Sequence, residues 1–425
     1  MKRNDGASLA PQQWIEQNLF LGKPWSEYCR SLLTPLNIIA TVILLIGLPL
    51  ILMRYMHGLA AVTHASNDQP WGLFLSWGLF TGVPLASTGF LMASTVYLFG
   101  MRQYYPLLRP AVLTGFIGYL FAVVYLLVDL GMPWRLPYPM FKSFGTGSVM
   151  FLVAWHVALY LSTQFVEFCP AIFEWLGADR LRRLALRVTI GATIFGVILS
   201  TLHQSALGAL FLLAPTKLHP LWYSPYLPLL FFVSSIFGGL SMVVIESTLV
   251  SHFLPQRVAP ANLRALDHLT LGLAKGAALT LITYFALKLV ALAHGHHWAL
   301  LTSRFGLVYV AEMLGFVLLP CFAFVVAVRQ SKPGLVRLAA VWTILGIILN
   351  RFTVSMFAFN WELPHREFFH GKEILVAGTI LTIEILVYRW TVNRLPVHTG
   401  HAAPTIRCPI IPDSADLVLN PTNRS

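Results

Sequence analysis

Cysteine is almost missing from this 425-residue chain: Cys29, Cys169, Cys321 and Cys408 stand far apart, and no CxxC pair occurs. Thiolate-held clusters need several ligands close together, so no iron–sulfur centre is expected in the chain itself. Charge is scarce as well. Charged residues make up 11% of the sequence, against roughly 25% in a soluble domain, which excludes a pair of ordinary soluble domains. The sequence has no Gly-rich P-loop, no HExxH and no GxSxG. Phosphate cradling, zinc-peptidase chemistry and serine-nucleophile chemistry lose their usual carriers. The net charge of +12 is no nucleic-acid signal, because the basic residues sit in short loops between apolar runs and form no single face.

What is abundant is apolar. Hydrophobic residues make up 57% of the chain, and runs of about 20 residues recur, each able to cross a hydrocarbon core of about 30 Å. Ten spans can be drawn, at 36–53, 71–99, 111–132, 145–168, 184–213, 226–250, 268–292, 305–328, 335–357 and 372–392. Lipid offers no partner to an unpaired backbone group, so all ten should be helices. The predicted class is an all-α polytopic membrane protein. No cleaved signal peptide is expected, since residues 1–35 are polar or mixed.

Of the 29 Lys and Arg residues, nineteen fall on the side of the termini and seven on the other, while Lys275, Lys288 and Arg351 lie within spans. That bias predicts cytoplasmic termini. Spans two to five (71–213) and six to nine (226–357) both start on the outer side. They suggest two four-helix bundles flanked by the first and last helices. Residues 1–35 form a cytoplasmic segment whose Trp14, Leu19, Phe20, Leu21 and Trp25 suit the membrane interface. The tail 393–425, rich in Pro, Thr and Asn, reads as disordered.

Ionisable groups inside spans are costly and are the first functional candidates. Asp129 lies near the outer end of span three, where Arg135 is one available partner. His156 and His203 fall at similar depth on consecutive antiparallel helices. The strongest local pattern is Thr201-Leu202-His203-Gln204-Ser205. Three adjacent polar side chains cannot all face lipid cheaply. His203 and Gln204 can bond to a carbonyl or a hydroxyl, and His titrates near neutrality. A quinone headgroup needs such a set, as does polar contact between helices. In the second half Lys288, Glu312 and Arg351 lie in the outer parts of spans seven to nine, and Glu246 and Lys275 in the inner parts of spans six and seven. Opposite charges at similar depth should pair, as structural clamps or as steps of a proton path. His294, His296 and His297 lack nearby carboxylate or Cys support, so no metal site is assigned.

Several stretches together resemble the NrfD/polysulfide reductase membrane-subunit family. These are Pro70-Trp71-Gly72, the run from Arg102-Gln103-Tyr104-Tyr105-Pro106 to Ala111, and Asp129-Leu130-Gly131 with Leu136-Pro137-Tyr138. His203-Gln204-Ser205 followed by Gly208, and His219-Pro220-Leu221-Trp222, complete the pattern. The chain is most similar to the ten-helix quinone-reactive subunits of membrane-bound hydrogenase and of sulfite-reduction-associated redox complexes, from about residue 40 to 392. The resemblance implies a subunit without haem or iron–sulfur centres of its own. Such a subunit exchanges electrons between menaquinone or ubiquinone and an extracytoplasmic iron–sulfur partner, alongside a separate catalytic subunit. The quinone pocket would then involve Asp129, His203, Gln204 and Ser205, with Trp71 and Tyr138. Some family members have an acidic residue in the outer third of span four. Met150 to His156 contains none, which leaves His156 as the proton-relay candidate. Proton transfer would continue through Glu246, Lys275, Glu312, Arg351 and Lys288. The outer loop with Trp361, Glu362, His365 and Arg366 mixes aromatics with both charge signs and suits docking of the partner. Two other readings stand beside this one: a haem-b cytochrome with His156 and His203 as axial ligands, and a transporter or ion pump working through Glu246, Lys275 and Glu312.

Overall fold

In the computed structural model, residues 11–66, 69–363 and 369–398 are described. Ten helices are long and apolar enough to cross a membrane. They are α1 (Pro35–His57), α2 (Phe74–Leu98), α3 (Arg102–Asp129), α4 (Val149–Trp175), α5 (Asp179–Leu213), α6 (Leu227–Phe253), α7 (Pro260–His294), α8 (Arg304–Arg329), α9 (Pro333–Phe357) and α10 (Gly371–Arg394). Each expected span corresponds to one of them. Three depart noticeably, α7 among them, since it begins at Pro260, ahead of the drawn 268. α3 starts before Pro106 and Pro110, which the first turns of a helix tolerate, and α4 continues through Pro170 to Trp175. Their ends reach beyond the apolar run because a helix does not stop where hydrocarbon does.

The helix starts are readable in the sequence. Thr34 accepts the Asn37 N–H at 3.3 Å, Ser303 accepts the Gly306 N–H at 3.0 Å, and Pro228, Pro260 and Pro333 stand in first turns where no N–H is needed. α2 is less regular than one apolar run suggests. It contains π-helical turns at Phe74–Thr81 and Ser94–Leu98 and a break at Ala86–Ser87, after Pro84. Thr81 donates to Ser76 O at 2.8 Å, and Ser87 donates to Pro84 O at 2.7 Å, so side chains bind carbonyls that the distorted ladder releases.

α2, α3, α4 and α5 pack on one another in turn, with α5 closing back on α2. α6, α7, α8 and α9 repeat the arrangement, with α9 closing on α6. α6 joins the two groups through α5 and α2, and α10 packs against α1 and α3. α2 is the central helix, 83% buried, whereas α1 is 11% buried and faces outward with Ile38, Ile39, Val42 and Leu45 exposed. Lipid tails are as apolar as leucine, so the helices hold together through close packing and polar contacts. The α2–α6 crossing shows both: Ser87 also donates to Ser235 O at 2.6 Å, and a side chain at Gly239 would strike Ser87 and Leu91.

Two short helices, Pro11–Asn18 and Trp25–Ser31, lie beneath the ends of α4 and α10. Trp14 meets Trp175 at 5.2 Å, and Arg394 donates to Leu19 O at 2.8 Å and to Tyr28 Oη at 2.7 Å. Both described ends of the chain therefore share one face, called the terminal face below. The expected disorder from 393 onward does not hold for its first residues. Asn393 and Arg394 complete α10, Val397 and His398 are buried, Pro396 O accepts from Arg109 at 3.1 Å, and His398 O accepts from Ala259 N–H at 3.3 Å. Apolar Leu395 and Val397 can fill space under α6 and α7, which composition alone does not reveal. Residues 399–425, His365 and Arg366 lie outside the described residues.

Candidate functional site

At the face opposite the termini, four helices bring a polar group together under an aromatic cover. Arg54, 2% exposed near the end of α1, donates Nε to Val128 O and Nη2 to Leu130 O. It thereby clamps the end of α3 around Asp129, whose carboxyl is half-buried and flanked by Arg54 and Glu373. Glu373, in the first turn of α10, accepts the Leu73 N–H at 2.6 Å. Asp129 thus has Arg54 as its cationic neighbour, where the sequence had offered Arg135; Arg135 instead lies over Tyr138, 5.7 Å from the ring centroid. Next to Leu73, Trp71 packs against Phe80, Phe211 and Phe359 at 5.4, 5.7 and 6.1 Å. Its indole N–H is buried and has no partner among the described residues. A buried donor left unmade costs about 1–3 kcal/mol, which makes it a marker for a ligand or a water.

His203 lies elsewhere. It is fully buried, with Nδ1 against Leu199 O at 2.8 Å and Nε2 against the Tyr119 hydroxyl. Gln204 donates to Val83 O and to Tyr119 Oη, both at 3.1 Å, and Gln164 donates to Tyr160 Oη. The rings of Tyr119 and Tyr160 are 4.5 Å apart. Tyr119 precedes Asp129 by ten residues on the same helix, about 15 Å of rise. The quinone-binding set proposed from sequence therefore separates into an outer group (Trp71, Asp129) and a deeper one (His203, Gln204). His156 lies in the neighbourhood of His203, and its buried Nδ1 has no partner among the described residues. Ser205 is half-buried and has no hydrogen-bond partner among them. Tyr138 sits in its own loop beneath Lys142, 4.5 Å from the ring.

In the second group of helices Lys288, Glu312 and Arg351 are all buried and come together, as their depths suggested. They do not form the expected direct pairs. Glu312 accepts from Trp222 Nε1 at 3.1 Å and from Asn350 Nδ2, while Arg351 donates to Asn350 Oδ1 at 2.9 Å and to Ser234 Oγ. Asn350 thus stands between carboxylate and guanidinium. Lys288 rests 5.2 Å from the Tyr309 ring and Arg351 3.6 Å from that of Phe231, so aromatic faces share the load of burying charge. Glu312 begins a π-helical segment, Glu312–Leu318, and Arg351 lies two residues before another, Thr353–Phe357.

Toward the terminal face the expected Glu246–Lys275 pair is absent. Glu246 is held by the Tyr388 hydroxyl of α10 and lies 3.8 Å from His398 Nε2. Lys275 is exposed to a cavity on another side of α6. Similar depth says nothing about angular position around a helix, which is why the pairing fails. Glu167, one turn from Gln164 on α4, accepts from Thr193 Oγ1 at 2.6 Å and lines a small cavity with Tyr97, Tyr105 and Arg109. Sequence reasoning missed Arg54, Tyr119, Tyr160, Glu167, Asn350, Glu373 and Tyr388. Glu167 and Glu373 lay at the edges of drawn spans and could have been found by counting acids there. The tyrosines and Asn350 carry no formal charge and gave no signal.

In the outer loop Trp361 is half-buried, 4.8 Å from the His219 ring, and Glu362 is exposed. Asn360 N–H bonds Lys217 O at 2.6 Å and His219 N–H bonds Ala358 O at 2.9 Å, so the loops after α5 and α9 are tied together. His219 Nδ1 accepts the Leu221 N–H at 3.2 Å, and burial, with His297 nearby, pushes the ring down to about 4. No group of three metal-ligating side chains occurs among the described residues.

Comparison with known proteins places these observations in a family. The profile of "Polysulphide reductase, NrfD" matches residues 61–360. A Nitratidesulfovibrio vulgaris protein is 45% identical over 88% of this chain and 96% of its own length. The probable Ni/Fe-hydrogenase 2 b-type cytochrome subunit of Escherichia coli is 30% identical, covering 84% of this chain and 90% of its own. The integral membrane subunit of menaquinone reductase from N. vulgaris is 23% identical, covering 77% and 84%.

Proposed function

The chain belongs to the polysulphide reductase NrfD family, and from that premise we propose that it is the quinone-reactive membrane subunit of a respiratory redox complex. It exchanges electrons between menaquinone or ubiquinone and an iron–sulfur partner on the face away from its termini, with substrate chemistry on a further subunit. The observation that carries this reading is the outer group. Trp71 presents an unpartnered buried N–H among three phenyl rings, two residues before Leu73, whose N–H binds Glu373, and Glu373 in turn neighbours Asp129. Aromatic rings beside a few polar groups suit a flat ring with carbonyl oxygens. The quinone supplies the two-electron chemistry, and the protein's part is to orient the ring and move protons. Trp71 N–H would donate to a ring oxygen; Asp129 and Glu373 would exchange its protons, with Arg54 holding Asp129 in place.

The test is quinol turnover by the purified complex carrying Asp129→Asn or Glu373→Gln. Removing a general acid–base should cost about 100-fold or more, while dye-linked activity of the partner subunits stays unchanged. Turnover near wild type in both variants would remove the outer group from the reaction.

For protons crossing to the terminal face, the geometry favours α2–α5 over the second group. Gln164, Tyr160, Tyr119 and His203 form a bonded or ring-to-ring chain, and Glu167 lies one turn from Gln164. Glu246 and Lys275 face apart, and Glu312 with Arg351 closes on itself through Asn350. The positive-inside bias supports a cytoplasmic terminal face, and the family membership supports a bacterial or archaeal inner membrane; alkaline phosphatase fused after residue 398 should be inactive, and an active fusion would invert the topology. Trp361 and Glu362, with His365 and Arg366 of the same loop, are the proposed docking contacts, and cross-links from Glu362 should capture the iron–sulfur subunit.

A second reading rests on the E. coli relative's name, b-type cytochrome subunit. His203 suits it poorly, because both its ring nitrogens are committed to Leu199 O and Tyr119. A pyridine haemochrome assay decides: one haem b per chain would replace the quinone-only reading.

A further inference from the structure

Between the two groups of helices runs a cavity of about 790 Å³, within the range of ligand pockets, and nothing in the proposed quinone chemistry uses it. It extends along α6 from Phe232, near the outer end, past Ile236 and Leu240, to the terminal-face loops at Met101 and Ser331. Its walls are largely apolar. Its basic side chains are Lys275 and His268, both on α7, and no carboxylate lines it. Lys275 is exposed and has no ion-pair or hydrogen-bond partner among the described residues; the nearby Asp267 is already bound to Arg337 at 2.6 Å. Lys275 stands two helical turns, about 10 Å, deeper than His268, which puts an ammonium group below the membrane surface. At that depth a lone cation needs an anion or must stretch to the surface.

We propose that this cavity holds a phospholipid with an anionic headgroup from the terminal-face leaflet. Its phosphate would lie at Lys275 and His268, with Gln103 and Tyr104 beside the entrance, and an acyl chain would fill the slot between α2 and α6. Charge complementarity selects the occupant. Lys275, with His268 and no carboxylate beside it, repels a cationic amphiphile, and a phosphate diester offers it a full negative charge where a quinone ring offers only neutral carbonyl acceptors. The apolar slot excludes free phosphate as the preferred ligand. Basic pockets between helices on this side of a membrane are suited to phosphate headgroups. The lipid would also fill the seam that joins the two helix groups. The proposal is independent of the quinone reading and stands or falls separately.

The experiment uses the full chain, within its complex where that co-purifies, in mild detergent. Native mass spectrometry should retain one anionic phospholipid per wild-type chain, in preference to phosphatidylcholine. Lys275→Met should weaken that retention about fivefold, and Lys275→Arg should restore it. After delipidation, dioleoylphosphatidylglycerol should raise the Tm of wild type more than dioleoylphosphatidylcholine does, and Lys275→Met should lose the difference. Glycerol 3-phosphate alone should have no effect. Equal retention by wild type and Lys275→Met, equal retention of the two lipid classes, or a quinone in place of the lipid would each overturn the proposal. A full response to glycerol 3-phosphate would reassign the cavity to a soluble phosphate. Should Lys275→Met fail to accumulate, His268→Gln, at the exposed end, gives the same reading: weaker retention supports the site and unchanged retention rejects it.

Discussion

Replacing Asn350 with leucine tests how the second group of helices tolerates three buried charges. The side chain keeps the same branched heavy-atom skeleton, so the loss is mainly polar. Two contacts to charged groups disappear, the donation to Glu312 Oε1 and the acceptance from Arg351 Nη1 at 2.9 Å. In water-soluble proteins each such bond contributes about 1.5–3 kcal/mol. Between membrane helices measured values average about 0.6 and reach about 1.7 kcal/mol, because the unfolded chain in the membrane also finds partners. The membrane scale applies, so Asn350→Leu should destabilise the fold by about 1–3 kcal/mol. The assay is reversible unfolding in mixed micelles with rising SDS fraction, followed by tryptophan fluorescence. Trp222 donates to Glu312 and reports on the network itself. The double substitution with Glu312→Gln should cost less than the sum of the two singles, since both damage one network. A change below about 0.5 kcal/mol, or strict additivity, would refute the view that Asn350 links carboxylate to guanidinium.

Three further outcomes follow from the geometry. Tyr119→Phe removes the hydroxyl shared by His203 and Gln204; the fold should lose about 1–2 kcal/mol, measured by the same SDS titration, and voltage generation in proteoliposomes should fall if the column carries protons. Gly239→Val places a side chain on Ser87 and Leu91 at the α2–α6 crossing, and should lower the Tm by several degrees, read by differential scanning fluorimetry. His219 carries a pH dependence: its folded value of about 4 lies below the ordinary 6.5, so the stability of the tied outer loops is fully present above pH 6.5 and is lost as pH falls toward 4. The loss, up to about 3 kcal/mol, should appear as opening of the Trp222–Trp361 region by hydrogen exchange, and His219→Phe should flatten the profile.

How much of this the sequence revealed depends on what each residue's signal was. Ten helices follow from apolar runs, because only intrachain bonding satisfies a backbone in lipid. The interior irregularity of α2 does not follow: residues 71–99 look like one run, and the break after Pro84 depends on Ser87 finding Ser235 O on α6. Depth along a helix was legible, so Lys288, Glu312 and Arg351 were gathered correctly into one region. Direction around the helix was not, so Glu246 was matched with Lys275 when its partner is Tyr388. Arg54 looked like an outer-loop residue, yet its side chain folds back to the carbonyls of Val128 and Leu130. Tail residues Leu395 to His398 looked like the rest of the tail, and only the hollow under α6 and α7 shows why they pack.

The same distinction between depth and direction separates the two helix groups chemically. In α2–α5 the polar groups are mostly neutral: Tyr119, His203 and Gln204 bond across helices or to carbonyls, and Gln164 bonds Tyr160 on its own helix. Neutral hydroxyl and imidazole groups can pass a proton by exchanging donor and acceptor roles, with little cost in moved charge. In α6–α9 the groups are formally charged and are locked by Asn350, Ser234 and three aromatic rings. Shifting a proton there leaves a charge without its partner in a medium that cannot solvate it, at a cost of several kcal/mol. Two groups with a similar helix arrangement thus differ in what their interiors can do: the neutral groups of the first suit the proposed proton path, and the bonded charges of the second are held in place.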